Sequence, residues 1–214
     1  MLSGKDLMKQ EPQGGAIRAR NRDLIIQAAI QEFAAKGFRG TTVQSIADRA
    51  ELPKPNVHYY FGNKEALYQE VLANIMSLWD GSLDELNADD DPSLFIAEYI
   101  ERKVLFSKEN PEASRIFAAE ILNGAPHMKA QFGKRYHEWF IGRSEIFKTW
   151  QTAGKINASV SPEHLLFIIW AATQHYADYE YQVKAALGVR KISQDQFQRA
   201  IDTLTHIVLA GIKP

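Results

Sequence analysis

Four polar side chains fall within six residues of one another: Lys54, Asn56, His58 and Tyr59. Groups of these types can read DNA, since asparagine pairs with adenine through two hydrogen bonds and lysine or histidine donates to guanine or phosphate. The apolar Val57 among them suits the buried side of the same short helix. These residues therefore form a candidate DNA-binding surface, and the alternative is an ordinary polar surface.

Two short helices are expected to position these groups. Ile46, Ala47 and Ala50 recur at the spacing of one helical face, and the hydroxyl of Thr42 is placed to accept a free amide of the first turn. A second helix is expected over residues 54–60, because proline is tolerated in a first helical turn. Two short helices joined by a three-residue turn form a helix-turn-helix unit.

Three further polar residues lie at the starts of helices. Thr42 and Gln44 open the first short helix, and Lys64 opens a longer helix that follows Asn63. Free amides and the helix dipole favour a phosphate at such positions. We therefore add Thr42, Gln44 and Lys64 to the candidate DNA contacts, again with polar surface as the alternative.

A longer run of motifs resembles the DNA-binding domain of the TetR family of transcriptional regulators. The resemblance covers residues 22–70 and is carried by Phe38, Gly40-Thr41-Thr42, Ile46-Ala47, Tyr59-Tyr60-Phe61 and Lys64-Glu65-Ala66-Leu67. It implies that the helix-turn-helix binds a double-stranded DNA operator. The turn departs from the family pattern, because Glu51 occupies a place where a glycine often adopts positive φ.

Three arginines precede this region: Arg18, Arg20 and Arg22. They are either a solvated basic start to the first helix or groups that reach DNA phosphates or a minor groove. The charge distribution agrees in sign with the second possibility, since residues 1–60 hold nine Lys and Arg against six Asp and Glu, while residues 61–214 hold 16 against 20.

Composition bounds the class of protein. The 214 residues are 45% hydrophobic, which is enough for an ordinary packed core. The chain has no cysteine, which excludes thiol catalysis, disulfides and cysteine-ligated metals. We expect no cofactor, because there is no phosphate-binding loop, dinucleotide fingerprint, nucleophile motif or histidine spacing for zinc. With no signal peptide or long apolar run, a cytoplasmic protein without membrane contact is expected.

The pattern of breaks indicates an all-α protein of about nine helices. We expect an arm at residues 1–15, a helix-turn-helix domain at 16–63 and a ligand-binding and dimerisation domain at 64–214. A long helix should run from Lys64 to about Leu86, followed by an acidic linker from Asn87 to Pro92. Later helices are expected near 92–107, 111–123, 129–153, 162–187 and 194–211.

The helices near 162–187 and 194–211 carry apolar residues on more than one face. One face is needed for the core, and the second suggests a partner helix pair. A homodimer through a four-helix bundle would bury it. The resemblance implies the same arrangement, and two-fold symmetry would place two recognition helices about one turn of DNA apart.

Segments across Glu98 to Gln174 resemble a narrower group, the TetR-type repressors of pyrimidine utilisation. The informative stretches are E-Y-I, P-E-A-S-R-I-F, E-I-L-N-G-A-P and I-W-A-A-T-Q-H-Y-A-D-Y. The resemblance implies a small planar effector, uracil or thymine, that releases a repressor from a palindromic operator. The alternatives are the same regulator with an unrelated apolar or aromatic effector, and a helical small-molecule enzyme.

Candidate ligand contacts follow from helical spacing. Trp170 and Gln174 are one turn apart, with Phe167 flanking them, and a carboxamide matches the N–H and C=O edge of an imide. Trp79 offers a stacking surface, and Asp178 lines either the pocket or the dimer interface. Alternatively, Gln174 bonds a backbone carbonyl and both tryptophans belong to the core.

Two polar residues of one mostly apolar helix, Glu120 and Asn123, are expected at its exposed edge rather than in a cavity.

Overall fold

The computed structural model describes residues 13–214, and side chains from residue 15 onward. All regular secondary structure in this range is helical, which confirms the all-α prediction. The ten helices are α1 (Gln13–Gly40), α2 (Val43–Arg49), α3 (Lys54–Phe61), α4 (Lys64–Asp84), α5 (Pro92–Glu109), α6 (Pro111–Leu122), α7 (Lys134–Thr152), α8 (Pro162–Asp178), α9 (Glu180–Leu187) and α10 (Gln194–Ile212).

The helix count differs from the expected nine because the helix predicted near 162–187 is interrupted. Tyr179 leaves helical geometry, with φ −114° and ψ 29°, and so separates α8 from α9. The helix expected from 129 begins only at Lys134. Of the predicted arm, residues 1–12 lie outside the described residues, and residues 13–15 belong to α1.

Contacts divide the chain into two compact units, one ending at Val71 and the other beginning at Leu72. In the first unit, α2 packs against α1 and α3. Its buried core includes Ile25, Ala29, Phe33, Ile46, Ala47, Val57, Phe61 and Leu67. The apolar residues predicted to lie on one face of α2 are therefore buried. Because Val57 and Phe61 of α3 are buried in the same core, the opposite side of α3 faces solvent.

Helix α5 is central to the second unit, where it packs against α6, α8 and α10. Its start is fixed by Asp91, whose carboxylate accepts hydrogen bonds from the amides of Ser93 and Leu94 at 2.8 and 3.1 Å. The surrounding core contains Ile96, Ile100, Val104, Phe147, Trp150, Leu166 and Ile169. In the interior of this unit, the side chains of α5 therefore contact side chains of several neighbouring helices.

No helix within residues 13–214 combines the length and the apolar content needed to span a lipid bilayer.

Candidate functional site

The recognition helix α3 presents its polar residues to solvent. Lys54, His58 and Tyr59 are exposed, the last by 65%, and Asn56 is half-buried. On the opposite side, Val57 is buried in the core of the first unit. The four candidate DNA contacts of α3 are thus accessible together.

His58 has a fixed orientation. Its Nδ1 lies 2.8 Å from the carbonyl oxygen of Gly62, so this nitrogen is the one that donates and carries the proton. Gly62 ends α3 with φ 74°, a conformation that favours glycine. In the neutral imidazole, Nε2 is then an acceptor, and protonation would make it a donor.

The start of α2 forms a reciprocal cap. The hydroxyl of Thr42 accepts from the amide of Ser45 at 3.0 Å, and the amide of Thr42 donates to the hydroxyl of Ser45 at 3.3 Å. This confirms the predicted capping role of Thr42. Nearby, the amide group of Gln44 donates to Asp48 at 2.7 Å, which leaves its carbonyl oxygen available.

Lys64 makes contacts that its sequence position did not predict. Its ammonium donates to the carbonyl oxygens of Phe38 at 2.8 Å and Thr41 at 2.9 Å. It also lies over the ring of Phe38, 4.4 Å from the centroid. Lys64 therefore joins the start of α4 to backbone carbonyls near the end of α1 and in the link to α2, and two of its three donors are used inside the first unit.

The unusual turn between α2 and α3 keeps the geometry of a glycine-ended helix. The amide of Glu51 donates to Asp48 at 3.2 Å, and the amide of Leu52 donates to Ala47 at 3.1 Å. These two bonds define a Schellman motif, whose C′ residue is left-handed. Glu51 occupies that position with φ 55°, so it adopts the conformation expected of the glycine it replaces.

The three N-terminal arginines have different surroundings. The guanidinium of Arg18 lies over the exposed ring of Tyr59, 5.5 Å from its centroid. Arg22 pairs with Glu70 and lies over Phe61. Arg20 lines a shallow groove beside the turn after α2. Of the three, Arg18 is the one that contacts a candidate DNA residue.

A buried carboxylate holds α1 to α2. Glu32 accepts from the ammonium of Lys36 at 2.6 Å and from Nε of Arg49 at 2.7 Å. The hydrogen bond from Lys36, together with that from Arg49, outweighs the opposing effect of burial and lowers the pKa of Glu32 to about 2. The helix-turn-helix thus depends on an ionised carboxylate in its interior.

The second unit contains a cavity of about 200 Å³. Its lining residues come from five of the helices and the segment before α7, and they are Met76, Trp79, Asp80, Tyr99, Lys103, Phe117, Ile121, Phe132, Tyr136, Trp170 and Gln174. Three of the predicted ligand contacts, Trp79, Trp170 and Gln174, are brought together here. Aromatic rings dominate the lining, which suits a small planar molecule.

Trp79 is held between two phenylalanine rings. Phe117 meets it edge to face with centroids 4.5 Å apart, and Phe106 does so at 5.7 Å. The ammonium of Lys103 lies 4.7 Å from the centroid of the Trp79 ring. The indole is therefore fixed in orientation and carries a positive charge over one part of its surface.

Gln174 supplies a free carboxamide. It lines the cavity and an adjoining surface groove, and no protein atom of the described residues hydrogen-bonds to its side chain. The alternative in which Gln174 bonds a neighbouring backbone carbonyl is therefore absent from this conformation. Its donor and acceptor both remain for a ligand.

Two predicted ligand contacts lie elsewhere. Phe167 is half exposed and stacks on Phe140 of α7, with parallel rings 5.2 Å apart. Asp178 lines the adjoining groove and accepts a hydrogen bond from Ser114 at 2.6 Å. Burial raises the pKa of Asp178, and the hydrogen bond from Ser114 opposes this effect. The structure does not bring either residue to the lining of the cavity.

Sequence reasoning missed the polar residues that α5 and α4 contribute, Tyr99, Lys103 and Asp80. One signal was present: Tyr99, Ile100, Lys103 and Val104 follow the spacing of a single helical face, which places a lysine on a buried stripe. A buried lysine needs a partner for its charge, so a lysine on such a stripe indicates a polar partner or a ligand-binding cavity.

Glu120 corrects the expectation of an exposed edge on α6. Its carboxylate is buried and accepts from the backbone amide of His127 at 2.6 Å, with the imidazole of the same residue at 3.1 Å. Asn123, by contrast, is exposed and donates to the carbonyl of Ala119. Glu120 thus fixes the loop that follows α6.

Large apolar side chains are exposed on both helices expected to form a dimer interface. Ile168 of α8 is 58% exposed and Ile207 of α10 is 61% exposed. Small residues accompany them, including the exposed Ala171 and Ala210. These faces lack partners within the described part of a single chain.

Comparisons with known proteins match both units. Residues 25–71 match the family described as bacterial regulatory proteins, tetR family, and residues 72–214 match the YcdC-like protein C-terminal region. The chain is 37% identical over 199 residues, or 93% of each chain, to the HTH-type transcriptional regulator RutR of Escherichia coli strain K12.

Solved structures share the fold. SCO4942 from Streptomyces coelicolor has a TM-score of 0.69 and 23% identity, covering 91% of this chain and 99% of that one. A TetR-like transcriptional regulator from Rhodococcus sp. RHA1 has a TM-score of 0.62 and 18% identity, covering 94% and 98%.

Proposed function

Because the chain belongs to the TetR family of bacterial transcriptional regulators, we propose that it is a homodimeric repressor released from a palindromic operator by uracil or a related pyrimidine such as thymine. The observation that carries the effector class is the meeting of Trp79, Trp170 and Gln174 around one cavity of about 200 Å³. A single planar ring suits this volume and these aromatic surfaces.

The cavity offers complementary groups to an imide. The carboxamide of Gln174 can donate to a ring carbonyl and accept from a ring N–H in the same plane. The Tyr99 hydroxyl accepts the indole N–H of Trp170, so its own proton is available to donate. A hydrogen-bonded edge of this kind discriminates strongly, because an unsuitable ligand would leave buried polar groups unpaired.

The DNA contacts follow from the exposed side of α3. In this proposal Asn56 and Lys54 address base edges, while Tyr59 and His58 contact the backbone. Thr42 and Gln44 lie at the start of α2, where a phosphate is favoured, and the remaining donor of Lys64 can reach one as well. Arg18 joins this surface through its contact with Tyr59.

A second copy of the chain would cover the exposed faces of α8 and α10. Ile168 and Ile207 provide apolar anchors, and neighbouring alanines permit close approach of helices. A two-fold axis between the copies would space the recognition helices about 34 Å apart, one turn of DNA.

Coupling between effector and operator is assigned to α4, which contains Lys64 near the DNA-binding groups and Trp79 in the cavity. The effector must prefer the conformation that does not bind DNA, and the typical free energy of such coupling is about 1–3 kcal/mol. The whole function consists of binding equilibria without catalysis, and it operates in the cytoplasm.

Footprinting at low salt, with and without uracil, tests this proposal. We expect a protected palindromic site whose affinity falls steeply with salt, and loss of protection when uracil is added. Lys54→Ala and Tyr59→Ala should lose operator binding while retaining the dimer and effector binding. The exposed Lys191→Ala and Tyr181→Ala serve as matched controls. Absence of a protected site at low salt would overturn the regulator function.

A further inference from the structure

Two opposite charges face the cavity without pairing with each other. Asp80 comes from α4 and Lys103 from α5, and both line the cavity. Lys103 is only 5% exposed. Among the described residues, neither side chain takes part in a direct ion pair or a hydrogen bond. The space between the two groups is therefore bounded by an acceptor on one helix and a donor on another.

The ring of Trp79 stabilises the Lys103 ammonium in part, but a buried charge without an ion pair or a hydrogen bond still loses favourable interactions that it has in water. Burial lowers the pKa of Lys103 to about 8, and the nearby charges of Asp80 and Asp178 oppose this effect. Burial likewise raises the pKa of Asp80 to about 6, with Lys103 opposing and Asp84 adding to it. Near neutral pH both groups are charged, and the cavity carries no net charge from the pair.

We propose that Asp80 and Lys103 select a neutral ring that directs an N–H toward Asp80 and a carbonyl toward Lys103, and that Asp80 excludes rings bearing a carboxylate. This inference rests on the proposed pyrimidine effector and deepens it. Uracil has N–H and C=O groups on adjacent positions of one edge, so a single molecule can satisfy both charged groups.

The exclusion follows from charge. Lys103 alone in a largely apolar cavity would attract a ring carboxylate strongly. Asp80 places a negative charge in the same small space, and juxtaposed like charges disfavour binding greatly. Specificity of this kind comes from a repulsive group as well as from attractive contacts. Asp80 is thus a specificity-determining residue, and removing its charge should admit the anion.

Calorimetry with two ligands tests this assignment: uracil, and uracil-6-carboxylate, which differs by the added carboxylate. The wild-type protein should bind uracil at least about tenfold more tightly than the carboxylate. Asp80→Asn, which keeps the side-chain shape, should reduce that preference at least about tenfold by strengthening binding of the carboxylate. Lys103→Met should weaken the binding of both ligands. Asp89→Asn and Lys129→Met make the same charge changes at exposed positions and should leave both affinities unchanged.

The outcomes distinguish a failure of the proposed selectivity from a failure of the proposed pyrimidine effector. Equal wild-type affinities for the two ligands, or an unchanged preference in folded Asp80→Asn, would overturn the selectivity and leave the pyrimidine effector standing. A wild-type protein that binds no pyrimidine would overturn the effector class and the selectivity with it. Because the wild-type comparison needs no substitution, equal affinities for the two ligands would overturn the selectivity even where Asp80→Asn fails to fold.

Discussion

The indole N–H of Trp170 donates to the phenol oxygen of Tyr99 at 2.6 Å, joining α8 to α5 at the lining of the cavity. Trp170 therefore offers a ligand its ring surface, because its only donor is already used. Burial raises the pKa of Tyr99, so the phenol stays protonated and keeps a hydrogen to donate. This hydrogen bond thus determines how each side chain can contact a ligand: Trp170 through its ring surface and Tyr99 through its hydroxyl proton.

Removing the Tyr99 hydroxyl tests this relationship. Tyr99→Phe leaves the Trp170 N–H without its acceptor and removes a donor to the effector, so we expect effector affinity to fall about five- to tenfold, or about 1–1.5 kcal/mol. Titration calorimetry measures the affinity. Tyr181→Phe removes an exposed hydroxyl and serves as the control. Unchanged affinity in folded Tyr99→Phe would show that the hydroxyl plays no part in binding.

Gln174→Leu is expected to weaken uracil binding about tenfold or more, because a leucine can neither donate to a carbonyl nor accept from an N–H. The free energy of unfolding should change little, since the carboxamide has no protein partner in the described residues. Calorimetry and thermal unfolding measure the two effects separately. Gln182→Leu, at an exposed position of α9, is the control, and equal uracil affinities in the two variants would contradict the role of Gln174.

Uracil affinity should be greatest between about pH 6 and pH 8. Below this window Asp80 gains a proton, because its pKa is raised to about 6, and it ceases to be an anionic acceptor. Above the window Lys103 loses its proton, because its pKa is lowered to about 8. The other ionisable groups around the pair are Asp84, Asp178 and two protonated phenols, Tyr99 and Tyr136. Calorimetry across pH checks the profile. Asp80→Asn should lose the acidic limb alone, and a wild-type profile flat from pH 5 to 9 would refute the assignment.

Glu51→Gly should stabilise the protein by about 1 kcal/mol, because a left-handed conformation costs a residue with a Cβ about that much. The observed φ of 55° identifies the strain. Thermal unfolding measures the gain. Glu51→Ala removes the same charge and keeps the strained backbone, so it should show no comparable stabilisation. Equal gains in the two variants would trace the effect to charge instead.

The first unit should lose stability as the pH falls from about 4.5 toward 2. The pKa of Glu32 is lowered in the folded state, so its ionised form stabilises folding above the unfolded value of 4.5, and this contribution disappears on protonation near 2. Glu32→Gln should cost about 1–3 kcal/mol at neutral pH by weakening the bonds to Lys36 and Arg49. Chemical denaturation measures both effects. Asp23→Asn, exposed on the same helix, is the control, and an equal loss there would contradict the role of the buried network.

Local signals in the sequence predicted the helix-turn-helix well. Thr42 caps α2, as its hydroxyl and its position before the helix suggested. Short-range hydrogen bonds and backbone preferences determine such features, so neighbouring residues suffice to indicate them. The break at Tyr179 was missed because no glycine or proline marks it.

The cavity required information that local patterns do not contain. Trp170 and Gln174 were identified from helical spacing, but Tyr99 lies 71 residues from Trp170 in sequence and meets it only through packing of α5 against α8. Phe167 has suitable spacing too, yet it lies about 10 Å before Gln174 along the helix and packs on Phe140 instead. Periodicity gives the face of a helix, whereas its neighbours decide which turn of that face meets a cavity.

Lys64 has a mechanical consequence. It is the first residue of α4, and its ammonium donates to the carbonyl oxygens of Phe38, near the end of α1, and Thr41, in the link to α2. Charge-assisted hydrogen bonds of this kind contribute about 1.5–3 kcal/mol each, so a hinge at this junction would have to break both. We therefore expect the first turn of α4 to move together with the segment that ends α1 and leads into α2.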